Sequence, residues 1–214
     1  LDRESLERIS FRKYLPVEMM QMHFCRYIWA LPYCIGKSVL DVGCGMGYGT
    51  WLLGQVADSI VGVDIAAEAI EEARATFDSM FVQCSIEDYA GGPFAVVVAF
   101  EMVEHCTDLD AVLEKIGSLL SPEGIALVSL PLYQPSEWHH RRDFGYGMWV
   151  RKLREHFRIV GVSYQPTECP QTSNVHVWDV VHDDGEVEAW PMSDLDEFGC
   201  PRTGISIFQL EVVV

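Results

Sequence analysis

Glycines at positions 43, 45, 47 and 49, together with an aspartate at 64, are the residues whose type and spacing most directly imply chemistry. Glycines in alternate positions remove the side chains that keep a ligand off the main chain, and they permit positive φ. Such a loop can touch a ligand with backbone atoms. Asp64 follows the loop by about 20 residues, where a carboxylate at the end of the next strand can accept both hydroxyl hydrogens of a ribose. Alone, Asp64 would read as a solvated strand-end residue; coupled to the loop it reads as half of a nucleoside cradle. The register narrows the ligand further. A dinucleotide site wants glycine at the first, third and sixth positions. Counted from Gly43 the sixth residue is Tyr48, and counted from Gly45 it is Thr50, so neither register fits NAD.

The histidines supply the candidate proton acceptors, because an imidazole titrates near neutrality. His105 closes the stretch Glu101-Met-Val-Glu-His105, and His139 and His140 precede Arg141 and Arg142. Each has a second reading: His105 could bond a backbone group and shape its loop, and His139 and His140 could be an exposed polar pair. Glu101 and Glu104 could orient a substrate or be solvated. No metal site is expected. The cysteines at 25, 34, 44, 84, 106, 169 and 200 form no closely spaced pair, and His176, His182, Asp183 and Asp184 match no recognised ligand spacing.

The elements that must position these residues follow from the apolar pattern. Glu18 to Leu31 is a helix ended by Pro32, lying against the domain as an N-terminal cap over residues 1–36. From Ser38 strands and helices alternate: strands at 38–41, 59–63, 80–84, 94–100 and 124–130, and helices at 48–57, 66–77 and 109–120. Ser121-Pro-Glu-Gly forms the turn before the fifth strand. Strands continuous in Val, Ile, Leu and Ala predict a parallel sheet covered on both faces, with ligands beyond the carboxyl ends of its strands. The pattern loosens near 131–147, resumes as a helix near 148–156 and a strand at 157–164, and loosens again over 165–204. An added strand is expected at 175–181 and a last one at 205–214. Residues 37–214 are therefore read as one domain with two insertions.

Composition excludes several classes. A chain of 214 residues, 49% of them hydrophobic, can bury a sizeable core. No apolar run is long enough to span a bilayer, and Leu1-Asp-Arg-Glu-Ser lacks the build of a secretion signal, which predicts a cytoplasmic protein. Unpaired cysteines inside apolar runs suit a reducing compartment. A formal net charge of −17 disfavours a nucleic-acid substrate, whose phosphates would need clustered Lys and Arg. The basic cluster from His139 to Arg142, continued at Arg151, Lys152 and Arg154, stands apart; facing a pocket, it would suit an anionic or sugar-phosphate acceptor.

Val39-Leu-Asp-Val-Gly-Cys-Gly-Met-Gly-Tyr-Gly49, Val61-Gly-Val-Asp-Ile65, Phe81-Val-Gln-Cys-Ser-Ile-Glu87 and the run from Phe94 through His105 resemble the class I S-adenosylmethionine (SAM)-dependent methyltransferases. Within that class the chain is similar to the small-molecule branch related to the UbiE and UbiG quinone-biosynthesis enzymes. The likeness covers roughly residues 10–165. Lys13-Tyr-Leu-Pro16, His23-Phe-Cys-Arg-Tyr27 and His139-His-Arg-Arg-Asp-Phe144 are similar to stretches in bacterial members associated with glycan or secondary-metabolite pathways. The resemblance implies an α/β, Rossmann-like, doubly wound and mostly parallel sheet, with helices on both faces and an antiparallel last strand. It implies that Asp41, Gly43, Cys44, Gly45 and Gly47 hold the methionine end of SAM and that Asp64 holds the ribose. Ile65 and Phe100 would pack on the cofactor, and Ser85, Ile86 and Glu87 would edge the adenine. Tyr14 and Arg26 could close over SAM and pair with its carboxylate, Tyr14 having the second reading of a packing residue on an entry segment. Two residues depart from the pattern: Ser85 stands where Asp is usual and can still hydrogen-bond adenine, and Ala95 replaces an Asp at the start of a strand, away from the cofactor.

Methyl transfer from a sulfonium is an in-line displacement, so the protein must align the acceptor and, for a hydroxyl, remove its proton. Because the histidine candidates are several, O-methylation of a small molecule, with His105, His139 or His140 as base, is expected ahead of nitrogen or carbon methylation. A competing expectation is a SAM-binding scaffold without turnover, whose acceptor pocket would be plugged by the aromatic late segment with Trp178, Trp190 and Phe198.

Overall fold

The computed structural model describes residues 17–132, 145–165, 178–179 and 204–213. Helix α1 (Val17–Cys34) leads into β1 (Ser38–Val42), α2 (Tyr48–Gly54), β2 (Ser59–Asp64), α3 (Ala67–Thr76), β3 (Met80–Gln83) and β4 (Phe94–Phe100). After a short 3-10 turn at Val103–His105 come α4 (Leu109–Ser118), β5 (Leu120–Leu132), α5 (Tyr146–Arg154), β6 (Phe157–Gln165), β7 (Trp178–Asp179) and β8 (Gly204–Val212).

The strands form one sheet in the order β3-β2-β1-β4-β5-β8-β6-β7. β1 pairs in parallel with both β2 and β4, so the order reverses beside β1 and opens a crevice beyond the strand ends there. The last strand, β8, enters between β5 and β6 and runs antiparallel to both, as the resemblance implied. Short β7 lies within the expected 175–181 strand and pairs antiparallel with β6 at the edge.

Burial on β4 shows why the sheet is covered on both sides. Val97 and Ala99 pack with α4 and α5 residues such as Leu113, Ile116, Trp149 and Leu153. Val96, Val98 and Phe100 pack with Tyr27, Ala30 and Cys34 of α1 and with Tyr48 and Leu53 of α2. An apolar side chain at every position is what a strand buried on both faces requires.

Apart from the short β7, three elements depart from the expected bounds by three residues or more. Helix α1 does not stop at Pro32 but continues to Cys34. The proline's missing N–H leaves the carbonyl of Ile28 without its helical donor. Both Ile28 and Pro32 are exposed, so water can satisfy that group, while Cys34 beyond them is fully buried. The Ser121–Gly124 turn is absorbed into β5: the pairing steps from Phe94↔Leu120 to Val96↔Ile125, so an excursion sits inside the strand. Helix α2 ends at Gly54, three residues earlier than expected.

Candidate functional site at the switch point

The glycine loop leaves β1 with Gly43, Gly45 and Gly47 at φ of 70°, 53° and 84°, all in the left-handed region. Two of the glycines are required by packing. A Cβ on Gly47 would lie 2.6 Å from the Phe81 ring and 2.8 Å from the Ala73 Cβ, and one on Gly43 would lie 2.8 Å from the Cβ of Met102. Gly45 is different, because a Cβ there would meet nothing within 4 Å. That open space is the cleft, of which Gly45 is part of the wall.

Asp64 ends β2 and is tied to the loop. Its Oδ2 accepts from the Gly45 N–H at 2.9 Å, and its Oδ1 accepts from the Ala66 N–H at 2.8 Å. The side chain is mostly buried yet lines the cleft, and each oxygen retains lone-pair capacity for a further donor. Asp41 lies elsewhere. It is fully buried, its Oδ2 accepting from Thr50 Oγ1 at 2.6 Å and its Oδ1 from Tyr27 Oη at 3.2 Å, and it is not in the cleft wall. Against the expectation that it touches the methionine end, Asp41 ties α1 and α2 to the strand beneath the loop.

Burial pushes the Asp41 carboxyl up to about 7, against the lowering effect of the bonds from Thr50 and Tyr27 and with Asp64 adding to the rise. A carboxyl with a folded-state value above its unfolded one binds more protons when folded. Its ionisation therefore removes stability as pH rises from about 4 to about 7, and the full cost persists above that. In Asp41→Asn, with the Thr50 or Tyr27 hydroxyl turned to accept from the amide, that cost is absent. The melting temperature of the variant minus that of the native chain is expected to increase by several degrees between pH 5 and pH 8. A difference that does not change with pH would contradict this.

The cleft has a volume of about 690 Å³, within the range of cofactor and small-ligand sites. One end is formed by Asp64 and Ile65 after β2 and by Ser85, Ile86 and Glu87 after β3. Ile65 is 67% exposed, an apolar face left open where an adenine is expected to lie. Ser85 caps its own turn, its Oγ donating to Asp88 Oδ2 at 2.9 Å and accepting from the Asp88 N–H at 3.2 Å. The other end is formed by Phe100, Glu101, Met102 and His105 after β4, with His23 and Tyr27 of α1 and Tyr48 of α2 above them. Cys44 also lines the cleft, and burial pushes its thiol far up, so it packs as an inert small group.

The structure thus gathers Gly43, Cys44, Gly45, Asp64, Ile65, Ser85, Ile86, Glu87, Phe100 and His105 around one cleft, while Gly47 supports the loop through its contact with Phe81. His105 sits on the 3-10 turn with Nε2 3.8 Å from Oε1 of the buried Glu104. Arg26 corrects an expectation. It is 1% exposed, outside the cleft wall, and its Nη1 donates to Gln165 Oε1 at 2.8 Å, while Gln165 Nε2 donates to the Met22 carbonyl. It joins α1 to the end of β6 instead of facing a cofactor carboxylate. Tyr14, His139 and His140 lie outside the described residues.

Sequence reasoning missed His23 and Tyr27 as wall residues. Their i, i+4 spacing on α1 was the available signal, since it puts both on one helical face. Away from the cleft, Asp110, Glu155 and His156 bring ligand atoms within 4.8 Å of one another, but the Lys152 ammonium already bonds both carboxylates.

A parallel sheet that reverses order beside β1, a glycine loop opening α2, and a β2-end carboxylate bonded to that loop together define the class I SAM-dependent methyltransferase domain. The chain belongs to the methyltransferase-domain family, which it matches over residues 30–164. It is similar to the ubiquinone biosynthesis O-methyltransferase of Azorhizobium caulinodans, with 34% identity over 119 residues, covering 52% of this chain and 47% of the relative. To the enzyme of the same name from Vibrio campbellii it is 35% identical over 97 residues, covering 42% and 41%. The chain thus spans less than half the length of these curated relatives. Among solved structures, the N-methyltransferase NodS of Bradyrhizobium japonicum, in complex with S-adenosylhomocysteine, superposes with a TM-score of 0.67 at 14% identity, covering 99% of this chain and 98% of that one. At that identity the likeness is one of fold.

Proposed function

We propose that this chain transfers the methyl group of SAM to a hydroxyl of a small-molecule acceptor, with a histidine removing the proton. The observation that carries the reading is the Gly45–Asp64 bond at the mouth of an open cleft whose far end holds His105. Asp64 would take the ribose hydroxyls, Ile65 the adenine face, and Ser85, Ile86 and Glu87 the adenine edge. The loop amides and the residues after β4 would surround the methionine. The family's cofactor supplies the electrophile; the protein's part is to hold it, exclude water and align the nucleophile.

Relatives named O-methyltransferases support oxygen as the acceptor atom. His105 is the candidate base among the described residues, with His139 and His140 as the others. An acceptor of sugar-like character agrees with the described wall better than an anionic one, since that wall carries no Lys or Arg. The methyltransferase-domain match supports turnover over the scaffold alternative; the side chains of Trp178, Trp190 and Phe198, which that alternative would use as a plug, lie outside the described ones. We read residues 1–36 as a helical cap and the segments near 131–147 and 165–204 as the insertions that select the acceptor. The described cysteines are free thiols, and no helix among the described residues is long and apolar enough to cross a membrane. Both features agree with a cytoplasmic setting.

The test is an acceptor screen with methyl-labelled SAM, followed by His105→Gln, His139→Gln and His140→Gln on the best acceptor. The account expects His105→Gln to bind SAM within about threefold of the native affinity and to lose about 10² to 10⁴ in kcat. If His105→Gln retains native kcat and His139→Gln or His140→Gln collapses it, the base is reassigned. A chain that binds no SAM sinks the whole reading.

A further inference from the structure

Glu101 is the one non-glycine residue with positive φ among the described residues, at 50°. Left-handed backbone is unfavourable for a side-chain-bearing residue and persists where the surroundings impose it. Here the surroundings are Ser129 on β5. The Glu101 N–H donates to Ser129 Oγ at 3.0 Å and to the Ser129 carbonyl at 3.3 Å, and Ser129 Oγ donates back to Glu101 Oε1 at 2.8 Å. Backbone and side chain are thus both gripped by one fully buried serine. The grip leaves Oε2 with no hydrogen-bond partner among the described residues, on a side chain that lines the cleft.

The position of Glu101 sets what its carboxylate can meet. It directly follows β4, and the next residue, Met102, abuts the loop at Gly43. Glu101 is therefore at the methionine and acceptor end, whereas Asp64 and Glu87 belong to the adenosine end. Among the described residues the cleft is lined by the carboxylates of Asp64, Glu87 and Glu101 and by no Lys or Arg, and His105 is the histidine beside Glu101 at this end. His23 adds no charge at neutral pH, because burial, reinforced by Arg26, holds its imidazole neutral. Arg26 itself is turned to Gln165 and stays out of the wall.

We propose that Glu101 is an acceptor-binding residue, set in place by Ser129, and that it selects acceptors presenting an ammonium or hydroxyl donor and rejects those presenting a carboxylate or phosphate at this end of the cleft. The inference rests on the methyltransferase reading and deepens it by giving the acceptor's charge class. A carboxylate with one oxygen held and one offered is a directional hydrogen-bond acceptor, and the charge-assisted bond it makes is among the stronger polar contacts. An anionic group in the same place would bring two like charges together in a partly desolvated cleft, a direct means of rejection. Ser129 does not touch the acceptor; it is a positioning residue.

The test uses the full chain saturated with S-adenosylhomocysteine and three probes of matched size, benzylamine, benzyl alcohol and benzoate, each titrated by NMR. Benzylamine in its ammonium form and benzyl alcohol are expected to bind about tenfold or more tightly than benzoate. Glu101→Gln, nearly isosteric, should bring the ammonium and carboxylate probes within about threefold of each other when measured with the variant still saturated with S-adenosylhomocysteine. Ser129→Ala should weaken the discrimination in the same direction without changing the S-adenosylhomocysteine affinity, which loss of folding would not do. Equal binding of benzoate and benzylamine to the native chain, discrimination that survives Glu101→Gln, or no binding of any probe overturns the proposal. Failure of S-adenosylhomocysteine itself to bind is a separate result: it overturns the cofactor reading, and this inference with it.

Discussion

Asp64→Ala is expected to weaken SAM binding by about two to three orders of magnitude. Two effects combine. On the proposed reading the ribose loses a carboxylate acceptor, each charge-assisted bond to which contributes about 1.5–3 kcal/mol. The Gly45 and Ala66 N–H groups lose their partner at 2.9 and 2.8 Å, so the loop that must receive the methionine is no longer held. Isothermal titration measures their sum, and a far-UV spectrum of the variant shows that the sheet survives. Asp64→Asn should fall between, since its amide oxygen can still accept from one of the two N–H groups. An alanine variant that binds within about threefold of the native chain would mean that Asp64 braces the loop and meets no ribose.

The second large effect is expected at Gly49, which the sequence presents as merely the last glycine of the loop. It lies one residue inside α2, and a Cβ there would come 2.1 Å from the Tyr27 ring. No rotamer of an alanine avoids that contact, so the ring must leave. Tyr27 packs edge-on against Tyr48 and Phe100, at 5.3 and 5.2 Å between centroids, and donates to Asp41. Displacing it unseats α1 from the cleft and takes a donor from a buried carboxylate. Overpacking of this kind costs about 3 kcal/mol, which for a chain of this size lowers the melting temperature by roughly 10 °C. A calorimetric scan of Gly49→Ala gives the answer, and an unchanged melting temperature would show that α1 is not seated through Tyr27. Tyr27→Ala in the Gly49→Ala background should recover little, because the lost ring contacts remain lost.

These two residues mark where sequence reasoning succeeds and where it stops. The relation of the glycine loop to Asp64 was legible because both ends are local: a glycine loop must follow a strand, and its acidic partner must end the next one. The sheet order near the loop followed from the same alternation. Gly49 and Tyr27 were not legible as a pair, because helix-on-helix contact joins residues distant in sequence through ring shape, which no spacing encodes. Arg26 shows the same limit from the other side. As a cationic residue of the His23-Phe-Cys-Arg-Tyr27 stretch it was matched to a cofactor carboxylate, yet its partner is Gln165, 139 residues on, at the end of β6. Asp41 was read as a cofactor contact because motif position says nothing about which side of a strand faces the ligand. The Ser129–Glu101 grip joins two neighbouring strands at matching ends, a register fact visible only once β4 and β5 are paired. Tyr14, His139 and His140 lie outside the described residues, and their roles rest on the resemblance alone.

A crystal structure of the chain with S-adenosylhomocysteine tests the central claim most directly. The account predicts the ribose hydroxyls within about 3 Å of the Asp64 carboxylate, the adenine between Ile65 and the Ser85–Glu87 edge, and the sulfur between the glycine loop and Glu101. Ligand bound elsewhere on the surface, or an empty cleft at saturating ligand, would contradict it.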